Sequence, residues 1–230
     1  MRTINYKELD GIYPLDYGGY SYTYTTNLDN KTYCYKEFKT LYDVDIMNNI
    51  KELTDTDFIK ELITPKYLVD CNRNWYLGYL SNYYGKLMDI DSEHDINKLI
   101  SMLKESKKLI EILHNYYKRI HCDINKANVV YRESDNKCFI IDFDRSLKIG
   151  QEPMSNMSML PSVINYLKYH KFDYLVDVYS FNSMTLSVLC NTEYVFELNK
   201  NKDVKRLSKE LLPNNIDKKI SGEYIIDYIN

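Results

Sequence analysis

Two apolar runs joined by a tetrapeptide suited only to turning constrain this chain more than any other feature. Val129-Val130-Tyr131 and Cys138-Phe139-Ile140-Ile141 flank Ser134-Asp135-Asn136-Lys137. β-Branched and aromatic residues on either side of such a turn predict a short β-hairpin. Two acidic positions, Asp123 and Asp142, each end an apolar approach, and Asn128 opens the hairpin. A hairpin of this kind delivers Asn128 and Asp142 to the same end. Two oxygen donors held there, with a third carboxylate close by, suit Mg²⁺, which takes few protein oxygens and leaves room for phosphates. A hairpin that merely carries solvated acids is the plainer alternative, and the apolar character of both approaches argues against it.

Upstream, residues 12–40 alternate polar and apolar around Gly18-Gly19 and around Asn27-Leu28-Asp29-Asn30-Lys31. Tyr20–Thr25 and Thr32–Phe38 have period two, so an antiparallel meander opens the chain. Lys36 lies inside the second run with Cys34 and Phe38 on its own face, a mismatch unless an anion meets it. Val44, Met47, Ile50 and Leu53 have helical spacing. Residues 65–70 and 75–80 read as two further strands. From about Asp95 to Ile120 an apolar stripe runs through Leu99, Leu103, Ile110 and Leu113, with Asp91 or Ser92 placed to cap its start. His114 on its flank reads as a packing or surface histidine.

Composition narrows the function classes. A net charge of −3 points to no nucleic-acid partner. The 44% apolar content suits a globular chain, and an AT-rich coding bias accounts for 24 Tyr against 7 Gly. Five Cys without close-spaced pairs suggest reduced thiols. No apolar leader and no run of membrane-spanning length are present, so a soluble, cytoplasmic protein is expected.

The spacing His121-x-Asp123-x-x-x-x-Asn128, followed by Asp142-Phe143, resembles the catalytic loop and metal-binding segment of the protein kinase superfamily. Tyr33-Cys34-Tyr35-Lys36 resembles that family's V-A-I-K strand, and Asp177-Val178-Tyr179-Ser180-Phe181 its D-V-Y-S-F-G, with Asn182 in place of Gly. The resemblance covers about residues 12–190. It implies an α+β, bilobal kinase-like fold in one domain over 1–230. The N-lobe (1–81) would hold an antiparallel five-stranded sheet plus one helix, followed by a hinge (82–85) and a mainly helical, abbreviated C-lobe (86–230).

The implied activity is ATP-dependent phosphotransfer to Ser or Thr hydroxyls, with Mg²⁺ as cofactor and Mn²⁺ as its substitute. The catalytic set is Asp123, Lys36, Asn128 and Asp142, and Asn128 and Asp142 hold the metal. Gly18, Gly19, Tyr20 and Ser21 would cover the nucleotide, although only an adjacent Gly pair stands where the family has G-x-G-x-x-G. Asn82, Tyr83 and Tyr84 would meet the adenine, with Ser81 at the gatekeeper position. A helix Glu pairs with the strand Lys in this family; Glu52 is the candidate here, with Asp45, Asp55 and Glu61 as alternatives. The resemblance makes His121 a scaffold bonded to backbone near Asp142-Phe143. It makes Asp177 an acceptor for catalytic-loop amides.

Departures leave other readings open. Cys122 replaces the Arg that meets a phosphorylated activation loop, Asn125 stands where Ser/Thr kinases have Lys, and Lys126 is adjacent. Asp144 replaces the Gly of D-F-G, adding a carboxylate beside the metal ligands. Residues 146–162 read as an irregular activation segment, without A-P-E before the next helix. A small-molecule kinase of the same superfamily and a nucleotide-binding pseudokinase acting as a binding module are the competing readings. The protein substrate is unidentified.

Overall fold

The computed structural model describes residues 3–17, 21–39, 44–71, 76–152, 173–190, 211–212 and 222–229. It is an α+β structure with a mixed sheet and, among the described residues, three α-helices. The chain divides into two compact units, one of Met1–Gly85 with Asp142–Asp144, the other of Lys86–Ile141 with Arg145–Asn230. Among the described residues no helix is long and apolar enough to cross a membrane.

The first unit contains β1 (Thr3–Asn5), β2 (Asp10–Tyr17), β3 (Ser21–Leu28), β4 (Lys31–Phe38), α1 (Val44–Thr54), β5 (Pro65–Asp70) and β6 (Tyr76–Asn82). Their sheet order is β1-β5-β6-β4-β3-β2. The β3–β4 turn follows from its residues: Asp29 and Asn30 both take positive φ, 51° and 60°, the geometry of a two-residue hairpin that Asx residues tolerate. Alternation along β4 sends Tyr33 and Tyr35 into one core with Leu28, Val69 and Leu80. Phe38, of the opposite parity, packs with Met47 and Ile50 of α1 and with Leu68 and Tyr79. Lys36 shares that parity. Gly78 lets β6 lie against β4, since a Cβ there would sit 1.9 Å from the Lys36 carbonyl oxygen.

The sheet has six strands, not the five antiparallel ones expected, and is mixed, because β1 pairs in parallel with β5. Thr-Ile-Asn is too short to carry a period, and only the open edge of β5 recruits it.

The second unit contains β7 (Met88–Asp89), α2 (Ile96–Asn115), β8 (Arg119–Ile120), β9 (Val129–Arg132), β10 (Lys137–Ile140), β11 (Leu147–Lys148) and α3 (Leu175–Cys190). The predicted hairpin is β9–β10, antiparallel from Val129↔Ile140 to Arg132↔Lys137, with β7 added beside β9. α2 buries Leu99, Leu103, Ile110 and Leu113 along its stripe. Its cap is neither Asp91 nor Ser92 but Asp95, whose Oδ1 accepts the Asn97 and Lys98 amides at 2.9 and 3.2 Å. The helix also stops at Asn115 rather than Ile120. Lys118 turns into the left-handed region (φ 53°) and Arg119–Ile120 pair with β11 instead. Asn182 of α3 accepts the Ile225 amide and donates to the Glu223 carbonyl, both at 2.9 Å, which anchors the turn Ile225–Tyr228.

Candidate functional site

The first unit gathers charge at Lys36. Its Nζ pairs with the carboxylates of Asp142 and of Asp144, the latter at 2.9 Å, across 106 and 108 residues of sequence. The anion demanded by a lysine in an apolar strand is thus supplied twice. Asp144 is itself buried, and Asn49 of α1 donates to its carbonyl oxygen at 3.0 Å. Burial by itself would depress the Lys36 ammonium. Tyr79, Asp144 and Asp142 outweigh it and hold the group well above the usual lysine value. Burial also pushes the Tyr79 hydroxyl up, so near neutrality it is an uncharged phenol and the two carboxylates carry the effect.

Glu52, the candidate partner from the resemblance, lies exposed on α1, and the Lys36 ammonium is engaged by Asp142 and Asp144. The side chain of Asp45 lies outside the described residues, and neither Asp55 nor Glu61 pairs with Lys36. The reason is helix phase: Asn49, not Glu52, is on the buried side with Ile50 and Leu53. Ser21 is buried at the start of β3, opposite Phe38. Cys34 lies opposite Ser81 in the ladder, and burial pushes its thiol up to about 11. Asn82 closes β6, and its Nδ2 donates to the Tyr84 hydroxyl at 3.3 Å, with Tyr83 and Tyr84 half-buried. The expected nucleotide-covering residues Gly18, Gly19 and Tyr20 lie outside the described residues, as do residues 153–162 of the expected activation segment.

In the second unit the loop from His121 to Asn128 is built around two acids with opposite tasks. Asp177, fully buried on α3, accepts the amides of His121 (2.6 Å) and Cys122 (2.8 Å), and its Oδ2 lies 2.9 Å from His114 Nε2. These bonds hold Cys122 at φ 71°, a conformation a non-glycine residue adopts only when its surroundings insist. His121 Nδ1 accepts the Asp123 amide at 3.3 Å, so Nε2 carries the proton and donates to the Ile141 carbonyl at 2.8 Å. That uses both ring nitrogens as scaffold.

Asp123 is half-buried. Asn125 Nδ2 donates to its Oδ1 and Asn128 Nδ2 to its Oδ2, both at 3.1 Å. Neutral amide donors orient the group without cancelling its charge. Lys126 points elsewhere and pairs with Asp91 at 2.7 Å. Arg119 clasps Ser146 through its hydroxyl and carbonyl at 3.2 and 2.9 Å.

The hairpin links the two groups along the chain. The Ile141 amide donates to the Asn128 carbonyl at 3.0 Å, and Asp142 is the next residue, at φ 68°. Asn128 Nδ2 is spent on the Asp123 carbonyl and carboxylate. The carboxylates of Asp142 and Asp144 are hard oxygen donors, the type that Mg²⁺ takes. Among the described residues no three His, Cys, Asp or Glu side chains cluster as a denser metal cage would need.

Sequence reasoning overlooked Asn49 and the partnership of His114 with Asp177. Asn49 did leave a trace, a polar residue on the α1 stripe four positions before Leu53. His114 left none. In comparisons with known proteins, no family model and no curated protein matches the chain.

Proposed function

We propose that the chain is a divergent protein kinase that transfers the γ-phosphate of ATP to Ser or Thr hydroxyls of a protein substrate. The observation that carries this reading is the meeting of Lys36 with Asp142 and Asp144, residues more than a hundred positions away in the sequence. The Asp177 and His121 bonds that shape the loop support it further. In this reading Asp123, oriented by Asn125 and Asn128, receives the proton of the acceptor hydroxyl. Lys36 grips the nucleotide phosphates. Asn128 and Asp142 hold Mg²⁺, which supplies neutralisation of the phosphate charge when bound. Phosphoryl transfer asks for positioning and charge more than covalent chemistry, and these residues provide both.

The test is transfer from γ-labelled ATP, in Mg²⁺ or Mn²⁺, to generic protein acceptors and to the chain itself, with Asp123→Ala alongside. Label on protein that vanishes in the variant is the expected result. Nucleotide binding without transfer to any protein would move the assignment to a small-molecule acceptor or to a pseudokinase. Absence of nucleotide binding would sink all three.

A further inference from the structure

We infer that Asp144 is the positioning carboxylate of Lys36, a task that resemblance assigns to a glutamate on α1; the inference rests on the phosphotransferase reading. Lys36 faces two carboxylates, of which a divalent cation would claim one. The two acids differ in the way this requires. Asp142 keeps about a third of its side chain exposed, 31%, whereas Asp144 keeps 5%. The exposed acid is free to turn to a metal, and the buried one stays on the ammonium.

The buried acid is also the anchored one. Asn49 Nδ2 holds the Asp144 carbonyl at 3.0 Å, tying the segment to α1 by a neutral hydrogen bond. α1 therefore steadies Lys36 indirectly, through Asn49 and Asp144. Without Asp144, the carboxylate left to Lys36 among the described residues is Asp142, and the ammonium then competes with the metal for its ligand.

The test compares calorimetric affinities for the non-hydrolysable ATP analogue AMP-PNP with Mg²⁺, and for adenosine, across the wild type, Asp144→Asn, Glu52→Gln and Lys36→Met. Asp144→Asn is expected to lose about tenfold or more in AMP-PNP affinity, the scale of one charge-assisted hydrogen bond, with adenosine affinity retained. Glu52→Gln is expected to match the wild type. Adding Asp144→Asn to Lys36→Met is expected to cost nothing further, because the carboxylate acts through the ammonium. Unchanged or tighter AMP-PNP binding in Asp144→Asn, an equal loss in Glu52→Gln, or a parallel loss of adenosine affinity would overturn the inference. Should Asp144→Asn fail to fold, Asn49→Ala is expected to weaken AMP-PNP about threefold, and an unchanged affinity would overturn it equally. A wild-type chain that binds neither ligand refutes the phosphotransferase reading and this inference together. Wild-type binding that ignores Asp144 refutes the inference alone.

Discussion

Replacing Asp177 with Asn changes one oxygen to an NH₂ group and should unfasten the loop around His121. The two carboxylate oxygens receive three donors: the His121 amide and His114 Nε2 on Oδ2, the Cys122 amide on Oδ1. An asparagine has one acceptor oxygen. Turned one way, its NH₂ faces the Cys122 amide; turned the other, it faces the His121 amide and the His114 ring. Either way a buried N–H loses its acceptor, which costs about 1–3 kcal/mol, and the surviving bonds lose their charge assistance. With Asp177 fully buried, no water compensates. We expect a total near 2–4 kcal/mol, a sizeable share of ordinary domain stability. Urea unfolding measures it, and amide exchange at His121 and Cys122 reports where the loss falls. His114→Ala in a double-mutant cycle separates the ring's bond from the two amide bonds. A loss below about 0.5 kcal/mol, with exchange at both amides unchanged, would refute the assignment of Asp177 as the loop's anchor.

Other outcomes follow from single groups. Gly78→Ala drives a Cβ into the Lys36 carbonyl, so β6 must withdraw from β4; we expect a loss of about 2 kcal/mol or more and weakened nucleotide binding, both read on one purified variant. Burial pushes the Cys34 thiol to about 11 and the Cys138 thiol to about 12, so at pH 8 both stay protonated in all but about one molecule in a thousand or fewer. Iodoacetamide at pH 8 should therefore label exposed Cys71 before Cys34 and Cys138, and Cys34 only as pH climbs towards 11; mass spectrometry checks the order. Burial opposes ionisation of Glu93, but the Lys98 ion pair and the amides of Asp95 and His94 outweigh it and leave its carboxyl below the usual range. A depressed carboxyl stabilises above its unfolded value and loses that contribution as pH falls through the folded one. Glu93→Gln should thus be less stable than wild type at pH 7, with the gap closing under acid, as thermal unfolding at both pH values would read.

Local pattern made a good part of this molecule legible. The β9–β10 hairpin, the Asp29-Asn30 turn, the stripes of α1 and α2 and the oddness of Lys36 in its strand are all consequences of neighbours within a few positions. Period, turn chemistry and polarity act over that range, so residues alone determine them. The motif spacing around Asp123, Asn128 and Asp142 is equally local. Tertiary structure decided which groups meet. A strand edge recruited β1, although Thr-Ile-Asn has no period to announce it. Asp144, not Glu52, met Lys36, because the choice depends on which side of α1 is buried and on a contact across 108 residues. His114 found Asp177 across 63 residues, by a bond that no helical periodicity encodes. A carboxylate or an imidazole looks the same in sequence whether solvated or buried, and only the packed chain supplies the partner that gives it a task.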